Sequence, residues 1–307
     1  MKILDKLAIG DISTITYGGV QMHLKYKPGA RNVLLVSFHG ATKRDIRPYP
    51  WLSQFLPVNC HQIIIADPTL QAHEKFAAGW YLGTSKQNLP DVITSFCTTL
   101  AHELGINRRV YMGGSSGGFA ALLYSHRDPN SLAVTSCPQT NLQIYDNSFA
   151  RLFRQHGWPE STEHSNWGMH APVDLCALYS KPFTNRVIYI QSLDDVGHLK
   201  DHFVPFSSSL PIRSFDRVMF QVGYWGIPGH SGSVPPAAFM PWVKAAIQAA
   251  SWKREDILTA YELIQQQSKP QIKQHSKSFI DESKWNEIDI QLADKLRDYT
   301  LSSSEIL

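Results

Sequence analysis

Charge is scarce in this chain of 307 residues: Asp, Glu, Lys and Arg together make up 18%, against roughly 25% in an ordinary soluble domain. Basic residues exceed acidic ones by only 29 to 26, so the strong excess of a nucleic-acid binder is missing and no nucleic-acid partner is expected. A net charge of +3 can still hide one local basic loop. Cysteine is scarcer. Cys60, Cys97, Cys137 and Cys176 stand far apart without a CxxC pair, which argues against a zinc ribbon or a disulfide framework and for reduced, mostly buried thiols. The longest apolar run, Val33 to Phe38 with Ser37 inside it, falls far short of the roughly 20 residues of a membrane span. Near the start, Asp5, Lys6 and Asp11 interrupt the apolar stretch an export signal needs. A soluble, cytoplasmic protein is expected. The phosphate-binding patterns GxGxxG and GxxxxGK are absent, as are internal repeats.

What is present is a large apolar stock, 43% of residues with 11% aromatic, enough for one sizeable core. Short β-branched runs alternate with helical stretches over the first 250 residues, the order that builds a largely parallel sheet covered by helices. The expected strands are Asn32–Phe38, Gln62–Ala66, Arg109–Met112, Leu132–Thr135, Arg186–Gln191 and Arg217–Val222, with a hairpin over Ile12–Tyr26 about Gly18 and Gly19. Leu89–Leu104 has helical periodicity through Val92, Ile93, Phe96, Leu100 and Leu104, and Gly105 is its stop. Residues 140–182 carry Tyr145, Phe149, Phe153, Trp158 and Trp167 without a convincing strand, which predicts a helical insertion over the end of the sheet, a candidate lid. The domain expectation is therefore a catalytic domain over 1–250 and a helical extension over 251–307. In that extension Ile257, Tyr261 and Ile264 share one face, a loop follows at 269–277, and a stripe of Trp285, Ile288, Leu292, Leu296 and Tyr299 marks a second helix. Such a stripe packs on its own domain or serves a partner or dimer contact.

The most informative segment is RVYMGGSSGGFAALLYS, residues 109–125. A β-branched strand ends in a glycine-rich turn and an Ala/Leu-rich helix begins at once, which is the context of a nucleophile elbow. Small residues two before and two after the serine let the strained turn close, and the helix N-terminus aims free N–H groups at developing negative charge. Gly-x-Ser-x-Gly fits in two registers, centred on Ser115 or on Ser116. Ser115 is preferred, because the motif then starts directly after Met112 and leaves Gly117 and Gly118 ahead of the helix. The competing interpretation is a merely tight glycine-rich turn. An acyl-transfer site also needs oxyanion donors, and the loop His39-Gly40-Ala41-Thr42 after the first long strand suits the second of them. The backbone N–H groups of Ala41 and Ser116 are assigned to the hole, with His39 shaping the loop.

An acid and a base should follow in chain order, each just past a late strand. Ser192-Leu193-Asp194-Asp195 follows one such strand and Gly226-Ile227-Pro228-Gly229-His230 the last. His230 is the expected general base. Asp195 is preferred to Asp194 as the orienting acid because it stands further out of the strand. A metal alternative rests on His198 and His202 at i,i+4 with Asp201 beside them; with no evident third ligand no metal is expected, and helix packing or contact with the lid accounts for the pair.

These residues resemble the α/β-hydrolase superfamily over roughly residues 30–250, and specifically the bacterial capsular-polysaccharide O-acetyltransferases. The resemblance rests on FHGAT at 38–42, GGSSGGFAAL at 113–122, CPQTNLQIY at 137–145, DDVGH at 194–198 and GxPGH at 226–230. It implies an α/β-hydrolase fold and a catalytic Ser115, Asp195 and His230 that carry acetyl from acetyl-CoA, a donor substrate and not a resident cofactor, to a sugar hydroxyl of an oligosaccharide or polysaccharide. Cys137 departs from the Asn or small residue of related members. Residues 251–307 lie outside the shared pattern; a homo-oligomer or capsule-assembly contact would be theirs. Lys43, Arg44 and Arg47 are candidates for CoA phosphates or an anionic glycan, and Trp80 for sugar stacking. An esterase or deacetylase with the same triad and water as acceptor, and a non-catalytic scaffold in an export assembly, are the competing interpretations.

Overall fold

The sheet is built where the β-branched runs are. In the computed structural model, which describes residues 2–42, 54–161 and 164–268, eight strands form one sheet. They are β1 (Ile12–Tyr17), β2 (Val20–Lys27), β3 (Arg31–Phe38), β4 (Cys60–Ile65), β7 (Arg109–Gly114), β8 (Ser131–Ser136), β9 (Arg186–Ser192) and β10 (Val218–Gly223). A separate two-stranded ladder pairs β5 (Gly83–Thr84) with β6 (Gln87–Asn88). The order in the large sheet is β1-β2-β4-β3-β7-β8-β9-β10. From β4 across to β10 every pairing is parallel, while β1 and β2 run antiparallel at one edge. The β1–β2 turn uses Gly18 and Gly19, both at positive φ (56° and 76°), the backbone a two-residue hairpin of the right twist requires. Each expected strand is found, with ends shifted by at most two residues.

Period two sorts the central strands onto two faces. Leu34, Val36, Phe38 and Tyr111 point to the side of α1 (Leu89–Glu103) and α2 (Ser116–His126), while Val33, Leu35, Val110, Leu132, Val134, Ile188 and Ile190 point to α7 (Pro236–Gln248) and α8 (Arg254–Ser268). Both faces are covered, which is why these strands read as continuous apolar runs without alternation. α1 begins at Asn88, whose side chain caps the Asp91 N–H, and gives way to Gly105 at φ +69°, the left-handed residue of a helix stop. α2 is buried along nearly its whole length, so it is the helix on which the glycine-rich turn is anchored.

Between β8 and β9 the chain forms α3 (Ser148–Gly157) and α4 (Leu175–Tyr179), tied at the base by a bridge between Asn141 and Asp174. Phe153, Trp158 and Trp167 are buried in one cluster with Phe76 and Trp80. The aromatics of this insertion therefore chiefly fasten it to the sheet. After β9 come α5 (Val196–His198), a short π-helical turn and α6 (Val204–Ser209). In α8, Ile257 and Ile264 are buried and Tyr261 stacks on Trp242 of α7 at 3.8 Å. Residues through Gln266 form one compact unit. The expected loop at 269–277 and the stripe from Trp285 to Tyr299 lie outside the described residues. No helix among the described residues is long and apolar enough to cross a membrane.

Candidate active site

Ser115 sits between β7 and α2 at φ 56° and ψ −124°, a left-handed conformation that a side chain rarely accepts and that neighbours must enforce. The glycines around it make the turn possible. A Cβ on Gly113 would lie 2.3 Å from the Gly117 carbonyl oxygen, and one on Gly117 would lie 2.5 Å from the Phe38 oxygen. These are the residues two before and two after Ser115. Ser116, by contrast, is the first residue of α2 and is buried.

Two further loops converge on the serine. Ser115 Oγ lies 2.7 Å from His230 Nε2, and His230 Nδ1 lies 2.6 Å from Asp195 Oδ2. Burial alone would raise the Asp195 pKa, but hydrogen bonds from His198 and His230 outweigh it and hold the carboxyl below its usual range. The neighbouring Asp194 has other work. Its Oδ2 accepts the N–H groups of Trp225 and Gly226 at 2.9 and 3.0 Å, and its carbonyl accepts from Gly229 at 3.2 Å, so it fastens the loop that carries His230.

The FHGAT loop lies against the elbow: a Cβ on Gly40 would stand 3.8 Å from the Ser115 Cβ. His39 is buried, and burial lowers its pKa; Nε2 accepts the Asp67 N–H at 3.0 Å and Nδ1 donates to the Gly40 carbonyl at 2.7 Å, the pattern of a neutral ring. In a trans peptide that carbonyl and the Ala41 N–H point in opposite directions, so His39 also sets the Ala41 donor. Ser116 N–H belongs to the first turn of α2 and has no partner within the helix. A cavity of about 470 Å³ opens at this point, lined by Gly40, Ala41, Ser115, Cys137, Phe149 and His230 among others. Cys137 contributes surface and no nucleophile there, because burial pushes its thiol up to about 11.

Trp80 departs from expectation. It is 1% exposed, turned inward at φ 49° beside Tyr81 at φ 58°, with the Gly79 and Tyr81 N–H groups both held by Asp67 Oδ2 at 3.1 Å. No ring face is left for a sugar. Lys43, Arg44 and Arg47 lie outside the described residues. Gln139 escaped sequence reasoning, and His198 was assigned with His202 to helix packing or a lid contact. Gln139 Nε2 donates to Ser115 Oγ at 3.2 Å and to His198 Nε2 at 2.8 Å, and His198 Nδ1 lies 3.1 Å from Asp195 Oδ1. Topology offered a signal for the first, since β8 pairs with β7 and the segment that leaves its end at Ser136, with Gln139 three residues on, passes beside the elbow.

His198, His230 and Asp195 bring potential metal-ligand atoms close together. The imidazoles are stacked at 3.7 Å and 8°, and each Nδ1 addresses a different oxygen of the same carboxylate. That is a hydrogen-bonding arrangement in which one carboxylate accepts from two imidazoles. His202 turns away from it: its Nδ1 accepts the Thr140 N–H at 3.3 Å, and its ring packs on Tyr145 of the insertion, which is the lid contact expected for the pair. Burial, reinforced by His198, pulls the His202 pKa from 6.5 to about 3. With the folded value below the unfolded one, its contribution to stability is full above about pH 6.5 and is lost as pH falls toward the folded value. His202→Asn retains an acceptor for Thr140 and removes the titration. Its Tm should fall less steeply than that of the wild type from about pH 6.5 to about pH 4; parallel melting curves against pH would refute the assignment.

Strand order, the elbow after β7, an acid after β9 and a histidine after β10 define an α/β-hydrolase fold. No family model matches the chain, and no curated protein matches it in sequence. Solved structures with this fold include a mutant of the capsule O-acetyltransferase of Neisseria meningitidis serogroup A in complex with CoA. It aligns at TM-score 0.56 and 19% identity over 80% of this chain and 100% of that one. A second structure of that enzyme aligns at TM-score 0.55 and 18% identity, over 80% and 99%. The acylaminoacyl peptidase of Pyrococcus horikoshii aligns at TM-score 0.53 and 13% identity, over 83% of this chain and 45% of that one.

Proposed function

We propose that the chain is a serine-dependent O-acetyltransferase that moves acetyl from acetyl-CoA to a sugar hydroxyl of a surface oligosaccharide or polysaccharide. The observation that carries the reading is the hydrogen-bonded line from Ser115 through His230 to Asp195 at the wall of an open cavity. The likeness to a capsule O-acetyltransferase whose structure holds CoA favours this donor over other acyl groups. Phe149 and the serine-rich loop Ser231–Ser233 line the cavity, a mixture of apolar and hydroxyl surface that suits a carbohydrate.

His230 Nε2 takes the proton from Ser115 Oγ as Oγ bonds to the thioester carbonyl carbon. The Ala41 and Ser116 N–H groups hold the oxyanion, each such donor contributing on the order of 3 kcal/mol in the transition state. On collapse the C–S bond breaks, and the CoA thiolate leaves with the proton from His230. In the second half, His230 takes the proton of the sugar hydroxyl as its oxygen attacks the acetyl-enzyme. The Ser115 ester bond breaks and Oγ recovers the proton.

Thiol release from acetyl-CoA, measured with and without a panel of oligosaccharides, tests the reading. Release should rise with an accepting sugar and yield acetylated product. Release indifferent to sugars would leave an esterase, and a failure of Ser115 to react with a serine-directed phosphonate would leave a scaffold.

A further inference from the structure

We propose that Gln139 and His198 act as positioning residues, a polarised hydrogen-bond relay that directs the Ser115 proton to His230 Nε2. The proposal rests on the triad reading above and adds to it a chain of donors whose direction is set at one end by an indole. Trp80 Nε1 can only donate, and it donates to Gln139 Oε1 at 3.0 Å. That contact fixes which end of the Gln139 amide is oxygen. The Nε2 end therefore faces Ser115 and His198 with its two hydrogens, one toward Ser115 Oγ and one toward His198 Nε2.

Each bond then dictates the next. His198 must present Nε2 as an acceptor, so its proton resides on Nδ1 and is donated to Asp195 Oδ1. Asp195 accordingly receives two imidazole N–H groups, from His198 on one oxygen and from His230 on the other. Ser115 Oγ, already accepting from Gln139, directs its own hydrogen to His230 Nε2. The parts that impose this are rigid. Gln139, Trp80, Asp195 and His198 are all buried, and the turn that aims the indole is strained and held by Asp67.

Burial and the stacked His230 oppose protonation of His198. His230 stacks on one side, His202 lies 5.0 Å away ring to ring, and the Tyr145 ring meets it edge-on at 5.7 Å. Asp195 and the more distant Asp201 favour the cation, but burial and His230 act against it, and the net pKa is lowered. Protonation would also set Nε2–H against the Gln139 amide hydrogens. His198 thus remains a neutral donor and takes a share of the Asp195 charge that would otherwise rest on His230 alone.

Nitrogen NMR of histidine-labelled protein reads the relay without any substrate. His198 Nε2 should be unprotonated and Nδ1 protonated at about pH 8, in wild type and in Ser115→Ala alike. In Gln139→Glu, which replaces the donor with an acceptor, His198 Nε2 should become protonated. A protonated Nε2 in the wild type, or no change in Gln139→Glu, would overturn the proposal whatever the enzyme does. Kinetics supply the second arm. Gln139→Met, similar in volume, should lower kcat roughly ten- to a hundredfold with little change in KM. His198→Phe keeps a ring on His230 but strips a donor from Asp195, so the acid limb of kcat/KM should move to higher pH. An unmoved limb in a folded His198→Phe protein would refute the charge-sharing step. Should Ser115→Ala retain activity, the triad reading fails while the NMR result still decides the relay.

Discussion

Ser115→Ala should lower acetyl transfer by roughly four to six orders of magnitude, while Ser116→Ala stays within a few-fold of the wild type. The asymmetry follows from the turn. Ser115 is the residue of this turn at positive φ with its Oγ against His230, so removing that oxygen removes both the atom proposed to take the acetyl group and the proton that His230 would accept. Ser116 supplies its backbone N–H from the first turn of α2, and alanine keeps that donor and favours the helix. Fold should be retained in both variants, because Ala at 115 keeps the Cβ already accommodated there. The check is thiol release from acetyl-CoA together with mass spectrometry of the trapped acetyl-peptide, which should carry the label on Ser115. An active Ser115→Ala enzyme, or a label on Ser116, would place the nucleophile elsewhere.

The sheet could be read from the chain because its central strands share one feature: a strand buried on both faces carries an unbroken apolar run through its middle, as 33–36 in β3, 132–134 in β8 and 187–190 in β9 do. The meeting of Ser115, His230 and Asp195 was legible for a related reason, since parallel strands bring their C-terminal ends to one side and residues distant in sequence meet there. Where the reading failed, the cause was local backbone geometry. Trp80 in a Gly-Trp-Tyr run looks like an exposed ring on a loop, yet the two left-handed residues and the Asp67 carboxylate turn it inward to Gln139. His198 and His202 were paired by helical spacing, but at the site His198 belongs with Asp195, three residues earlier, and His202 with Thr140. The Asp195–His198 pair has the three-residue spacing of a capped helix start, whereas the contact of His202 with Thr140 has no local spacing at all. A buried glutamine leaves no pattern either, because its value lies in which way its amide faces, and that depends on an indole 59 residues away.

Asp195→Asn should cost about four orders of magnitude in kcat, and Asp194→Asn no more than about tenfold. The first loss is large because two histidines share the carboxylate. An asparagine must present an N–H to one of them. Turned toward His230, it forces the proton onto Nε2, where the imidazole meets the Ser115 hydroxyl with a donor and cannot take its proton. Turned toward His198, it forces a proton onto that Nε2 and against the Gln139 amide. Either rotamer breaks the polarity on which the site depends, and neither is relieved by pH: Asp195 is held below the usual carboxylate range and carries its charge at neutral pH, whereas the amide never acquires one. Asp194 accepts N–H groups from the His230 loop, and an asparagine oxygen can still accept there, so the loop is loosened and the proton path survives. Parallel pH–rate profiles separate the two effects. Asp194→Asn should keep the wild-type shape at reduced height, and Asp195→Asn should show little activity at any pH; equal losses in the two variants would mean that the acid has been assigned to the wrong residue.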